Sequence, residues 1–348
     1  HGYNPAMGDV YDRLPKVEIH CHLEGTISPG TVAEFASKNG LKLPVSRIED
    51  LYKYDSLNGF LKIFWFVQEL LSKPEYWERA AYESIVNAAP HGLHYRETFF
   101  TPARHLSAGQ DLEGIIEGIT RGLEAAEDET GVRCQVICDM DRAYGAAAGL
   151  ELVERLVELR RAGRAECVIG IGMDSTEFGV ELRDYAAAFG LARSTGLRCT
   201  AHAGEDTGPD NIQTAIEALG AERIDHGLSI LQDPELTARV AAQRIPLSVC
   251  PNSNVLIANK VPSLAEHPFR RMREAGLLAT LNTDDPAMTD LDLGKEYRSV
   301  AEALEMSFDD MAAVALDGVE ATWLDDDEKG RLRLDFEREI DVLRAELQ

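Results

Sequence analysis

RCTAHA (198–203), NIQTAIEAL (211–219), RIDH (223–226), PELTARVAAQ (234–243) and PLSVC (246–250) follow one another with only short connections. The short members are apolar or β-branched runs, and the longer ones between them repeat apolar residues at helical spacing. Strand, helix and strand in such quick alternation imply parallel strands joined by crossover helices. The pattern extends in both directions. Strand-like runs stand at 16–22 (KVEIHCH), 93–100, 132–139, 167–173 and 278–283, with helix-period segments at 149–162, 181–195 and 264–275. Eight strand candidates predict an α/β fold of the (β/α)8 TIM-barrel type, with an open doubly wound sheet as the alternative.

The gap between the first and second runs is far longer than one crossover needs. Segments 29–39, 47–51, 56–72 and 75–89 read as helices there, so a helical insertion (29–89) after the first strand is expected to form a lid over the barrel mouth. Phe60 and Phe64 in it are candidate contacts for a flat ligand, or else ordinary core. After residue 286 no strand pattern returns, and 294–306, 308–321 and 328–346 read as extra C-terminal helices. With no repeat or low-complexity linker, 7–348 reads as one domain, and residues 1–6 before Met7 read as an expression scar.

The balance of 45% hydrophobic and 27% charged residues is that of a globular chain. Sixty acidic residues against 35 basic ones give a net charge of -25, which repels a nucleic-acid backbone and leaves oligomeric state unspecified. No run is long and apolar enough to span a bilayer, and no charged-then-apolar leader is visible, so a cytoplasmic location is expected. Six cysteines (21, 134, 138, 167, 199 and 250) lack paired spacing and read as small buried hydrophobes.

Histidines and acids gather where these strands end. The two-residue period sends His20 and His22 to one face of the first strand. His202 closes the fifth strand and Asp284 the eighth. Three imidazoles and one carboxylate suit zinc and leave a position for water, and a barrel brings these distant strand ends to one mouth. Glu205, in the loop leaving strand five, suits a general acid and base. His226, closing strand six, could orient or deprotonate a water at the metal. Asp285 points away from Asp284 and can face a substrate. His91, His94, His105 and His267 lack such partners and read as structural or surface residues.

In this order, residues 14–26 (LPKVEIHCHLEGT), 202–205 (HAGE), 223–227 (RIDHG), 250–254 (CPNSN) and 281–286 (LNTDDP) resemble the adenosine and adenine deaminase branch of the metal-dependent amidohydrolases, across nearly the whole chain. The resemblance implies one zinc ion held by His20, His22, His202 and Asp284. It implies that Glu205 donates a proton to purine N1 while hydroxide, positioned by His226, attacks C6, and that Asp285 meets N7. N7 of an N9-substituted adenine only accepts, so Asp285 has to carry a proton, and like charge nearby can raise its pKa. The chain lacks the P-C-x-x-C motif that completes the zinc site of the other zinc deaminases. It also lacks the fourth-strand lysine of dinuclear relatives, which favours one zinc over two.

Substrate choice stays open between adenine and an adenosine-type nucleoside. Adenosine deaminases usually carry Asp where this chain has Glu24, and a glycine-bearing segment where it has Met173-Asp174-Ser175-Thr176-Glu177. Both departures are similar to adenine deaminases. The segments 95–102 and around Phe60 look more like the nucleoside enzymes. Glu24, Ser175, Gly204 and Asp285, with Phe60 and Phe64, are the candidate substrate contacts. The alternatives are a modified adenine nucleoside of the aminodeoxyfutalosine type, a non-purine heterocycle, or a barrel that binds a nucleoside without turning it over.

Overall fold

The computed structural model describes residues 10–54 and 57–347, so the expectation for residues 1–6 lies outside the described residues. Eight parallel strands pair in chain order: β1 (Lys16–Glu18), β2 (Leu93–Phe100), β3 (Arg133–Asp141), β4 (Val168–Asp174), β5 (Arg198–Ala203), β6 (Arg223–His226), β7 (Leu247–Val249) and β8 (Ala279–Leu281). Helices lie between them, as in a (β/α)8 barrel, and the doubly wound alternative is set aside. The ring closes between the first and last strands through a parallel bridge of Cys21 and Asp284. There His22 N–H donates to Asp284 O at 2.8 Å.

The outer strands are shorter than the runs 16–22 and 278–283 suggested, for a specific reason. Ile19 N–H donates to the side-chain Oδ1 of Asn282 (2.9 Å) in place of a backbone carbonyl, so the regular ladder stops at Glu18. Beyond that break Asp284 adopts φ 65°. Segment 264–275 is likewise divided, by His267-Pro268, into a short 3-10 turn and the helix Phe269–Glu274.

The long insertion splits between two tasks. Helix Pro74–Val86 packs along helix Leu112–Thr130 so closely that a Cβ on Gly118 or Gly122 would stand 2.2 Å from the carbonyl of Pro74 or Glu78. It therefore serves as an outer-ring helix, and the covering role narrows to the segments before it. Helix Leu57–Leu70 packs on the turn Leu23–Thr26 that follows β1. At the other end of the barrel the segment after helix Phe308–Ala321 packs Trp323 under Gly170 and against the buried guanidinium of Arg223, 4.1 Å from the ring centroid. Arg223 is neutralised by Glu97 at 2.7 Å, and Arg96 by Glu18 at 2.6 Å; all four are buried. All six cysteines are free, five of them buried. No helix among the described residues is long and apolar enough to cross a membrane.

Candidate active site

His20, His22, His202 and Asp284 each bring one ligand atom within 4.8 Å of the others. His22 Nε2 stands 3.2 Å from His202 Nε2 and 3.3 Å from Asp284 Oδ1, and His20 Nε2 stands 3.1 Å from the same oxygen. Tetrahedral zinc with bonds of roughly 2.0–2.1 Å has edges of about 3.3 Å, so the donor set fits that ion. Two imidazole nitrogens facing each other can share only one proton, which makes the cluster a poor hydrogen-bonded core and a good metal cradle. Burial, reinforced by the three neighbouring imidazoles, holds His202 well below the usual histidine range, so it is neutral as a ligand must be. Burial alone would raise Asp284, but the imidazoles of His20 and His22 beside it outweigh burial and hold its carboxyl well below the carboxylate range.

Behind the cluster lies a carboxylate that sequence reasoning passed over. Asp225, buried on β6, accepts from Ser248 Oγ (2.8 Å) and Thr200 Oγ1 (2.7 Å). Ser248 thereby spends its one proton, so its contact with His20 Nδ1 (2.9 Å) has the imidazole donating. That tautomer leaves His20 Nε2 bare toward the other ligands, the usual task of a group behind a metal ligand. The signal in the sequence is an acid inside a short strand-like run, RIDH, one residue before His226. Ser253 Oγ, on the helix after β7, donates to Asp284 Oδ2 at 2.6 Å and orients that carboxylate in turn.

Glu205 and His226 meet on one side of the cluster. His267 explains how. Its Nδ1 accepts the N–H of Phe269, so its Nε2–H donates to Asn254 Oδ1 (3.2 Å) and fixes the amide. Asn254 Nδ2 then gives its two protons to Glu205 Oε1 (2.7 Å) and His226 Nδ1 (3.2 Å). With Nδ1 accepting, neutral His226 carries its proton on Nε2 and serves as a donor, an orienting group more than a base. Its ring centroid is 4.6 Å from that of His20. Burial raises the Glu205 carboxyl, with Asp284 adding to the shift and His226 opposing it. His267 is thus a structural residue of this site, and only its fold-level contact with Asn254, thirteen positions away, reveals it.

Asp285 has a different set of neighbours. It lies against Gly25, where a Cβ would come 1.9 Å from its Oδ1, and burial with the adjacent Asp284 charge pushes its carboxyl up to about 8. Glu24 is buried, accepts from Thr101 N–H at 2.8 Å and keeps Oε2 without a hydrogen-bond partner. Asp139 and Asp174, at the ends of β3 and β4, come within 4.8 Å of His22 and were not anticipated. The remaining candidates behave differently. Gly204 sits at φ 72° with its N–H given to Glu177 and its carbonyl to Ser229 N–H, so it serves the turn and has no free N–H for a ligand. Ser175 is exposed at φ 73°. Phe60 and Phe64 stack at 5.7 Å on the helix over the mouth, Phe60 buried and Phe64 half-buried. His91 pairs with Asp12 and Asp292, His94 with Glu339, and His105 packs on Trp77, all outside the cluster.

The family model for adenosine deaminase matches residues 15–337. An adenine deaminase of Streptomyces coelicolor is 33% identical over 329 residues, covering 93% of this chain and 95% of its own. Among solved structures, the adenine deaminase of Arthrobacter aurescens superposes with a TM-score of 0.88 at 29% identity, over 94% of this chain and 99% of its own. A zinc-bound amidohydrolase from Burkholderia ambifaria superposes with a TM-score of 0.92, also at 29%, over 100% of this chain and 96% of its own. An eight-stranded barrel, a cluster of donors fit for a metal and a match running almost end to end agree, and the chain belongs to the adenosine deaminase family.

Proposed function

We propose that the protein hydrolytically deaminates the 6-amino group of a purine, with free adenine the preferred substrate, and that His20, His22, His202 and Asp284 hold one zinc ion for the reaction. The observation that carries this reading is the placement of two acids beside the cradle, Glu205 against His226 and Asp285 next to Asp284 with its buried carboxyl pushed up to about 8. When bound, zinc supplies a water acidified to a pKa of roughly 7. Glu205, whose carboxyl burial raises, delivers a proton to ring N1 as C6 becomes tetrahedral. His226 directs its Nε2–H at the attacking oxygen. Asp285, protonated at neutral pH, donates to N7, and ammonia leaves.

Adenine over adenosine is supported by the names of the similar enzymes and by Glu24, whose longer acid stands buried beside the site. The test is conversion of adenine and adenosine, side by side, by zinc-loaded protein, read by ultraviolet absorbance and ammonia release. Adenine is expected to react with the higher kcat/KM. Failure of both would remove the reading, and a preference for adenosine would remove its finer part.

A further inference from the structure

Glu177 holds a place in this site that its exposed neighbours do not suggest. Residues 175, 176 and 178 are exposed, yet Glu177 is only 3% exposed. Ser175 at φ 73° turns the chain after β4 so that Glu177 reaches the loop leaving β5. There its carboxylate collects five donors. Oε1 accepts the N–H groups of Glu205 and Asp206, both at 2.8 Å. Oε2 accepts Gly204 N–H (2.9 Å), Thr207 Oγ1 (2.6 Å) and Asn211 Nδ2 (2.9 Å). Despite burial, these bonds lower its pKa, so it is an anion that the loop wraps. Three successive backbone N–H groups aimed at one carboxylate determine the course of residues 204–206, and Glu205 is the middle one. On its other side the Glu205 carboxylate accepts from Asn254 and lies against His226, and Gly204 and Asp206 are also held by Ser229 N–H and Lys260.

We propose that Glu177 is a positioning residue for deamination: its carboxylate is the template on which the loop bearing the acid Glu205 is built. The inference rests on the acid role given to Glu205 above. It assigns the segment after β4 a task in proton transfer through the β5 loop, separate from any contact of that segment with substrate.

Glu177→Gln keeps the shape and replaces one acceptor oxygen by an NH2 group, so two or three of the five donors lose their partner whichever way the amide turns. Two readouts separate this inference from the reading it rests on. The first needs no substrate: amide hydrogen exchange of residues 204–206 in the zinc-loaded protein is expected to speed up by about tenfold or more while the core strands are unchanged, as for a local opening. The second is kinetic: kcat is expected to fall by roughly 30- to 100-fold with KM within about threefold and zinc content unchanged, the cost of an acid misplaced by a fraction of an ångström to 1 Å. Unchanged exchange at 204–206 would overturn the inference, and so would an undiminished kcat or a loss that merely tracks the folded fraction. If no purine reacts even with the wild-type protein, the acid role falls and the positioning role with it, although the exchange result still reports the template. Should Glu177→Gln fail to fold, Thr207→Val removes a single donor. It is expected to speed exchange of the same three amides and lower kcat by about two- to fivefold, and an effect on neither would overturn the inference.

Discussion

Gly25→Ala tests whether the turn after β1 and the acids after β8 are held in one register. A Cβ at residue 25 would lie 1.9 Å from Asp285 Oδ1 and 2.7 Å from both Cα and Cβ of Asp285. Carbon atoms in contact prefer roughly 3.5–4.0 Å, so the two backbones must part by about 1 Å. Neither side can yield alone. Gly25 N–H donates to the carbonyl of His22 (2.9 Å), whose own N–H donates to Asp284 O (2.8 Å), and the turn is buried throughout. The displacement therefore falls on His22 and Glu24, or on Asp284 and Asp285. Overpacking of this kind costs about 1–3 kcal/mol of stability. A 1 Å misplacement at reacting groups costs on the order of 100-fold in rate. We expect purine deamination by Gly25→Ala to drop about 100-fold in kcat/KM with weaker zinc retention, measured by absorbance and metal analysis. Gly30→Ala is the control: a Cβ there meets only Ser28 Oγ at 3.9 Å in the first turn of helix Pro29–Lys38. It should retain activity and gain up to about 1 kcal/mol. A Gly25→Ala protein with activity within threefold of wild type, about the scatter of such assays, would refute the reasoning.

Glu205→Gln should lose on the order of 10²–10⁴ in kcat while metal analysis finds zinc still bound; normal turnover would dismiss Glu205 as the acid. Chelation should abolish activity and lower the thermal midpoint, with zinc restoring both. Ligand linkage at 100 times Kd is worth about 2.7 kcal/mol, and a midpoint indifferent to zinc would contradict the cradle. Glu296, fully buried and hydrogen-bonded by Asn252 Nδ2 (2.7 Å), is pushed by burial up to about 8 from its ordinary 4.5. Below pH 4.5 both folded and unfolded chains hold that proton. Between there and pH 8 only the folded chain does, so stability falls by roughly 1.4 kcal/mol per pH unit until the folded group also ionises. Glu296→Gln should therefore gain over wild type as pH rises from 5 to 8 in denaturant titrations, and parallel curves for the two proteins would count against the shift.

The alternation of short and helical runs pointed to parallel strands with crossover helices because secondary-structure period is a local property, while the bridge between Cys21 and Asp284 decided for the closed barrel over an open doubly wound sheet. The convergence of the four proposed metal ligands was legible for the same reason. His202 stands near the end of β5, while His20 and His22 follow β1 and Asp284 follows β8 within a few residues, and in a parallel barrel all these strand ends meet. Period stops being informative where the strands stop. Glu177 lies two positions past Ser175 in a stretch that reads as a polar loop, and its direction depends on a left-handed residue that only the folded backbone displays. Asn254 and His267 act through a relay whose sense follows from which nitrogen of His267 accepts the N–H of Phe269. Asp225 sits inside a quoted motif, yet its work is to join Ser248 and Thr200, more than twenty positions away on either side.

Chain order thus carried the fold and which groups converge at the proposed metal site, since each of these follows from where a residue stands along the chain relative to its strand. Protonation and aim were decided by packing between segments. Asp285 holds its proton because burial and Asp284 surround it, and His20 points a bare Nε2 because Ser248 has already given its own proton to Asp225. A pKa or a tautomer depends on everything within a few ångströms, and those neighbours become adjacent only once the barrel has closed.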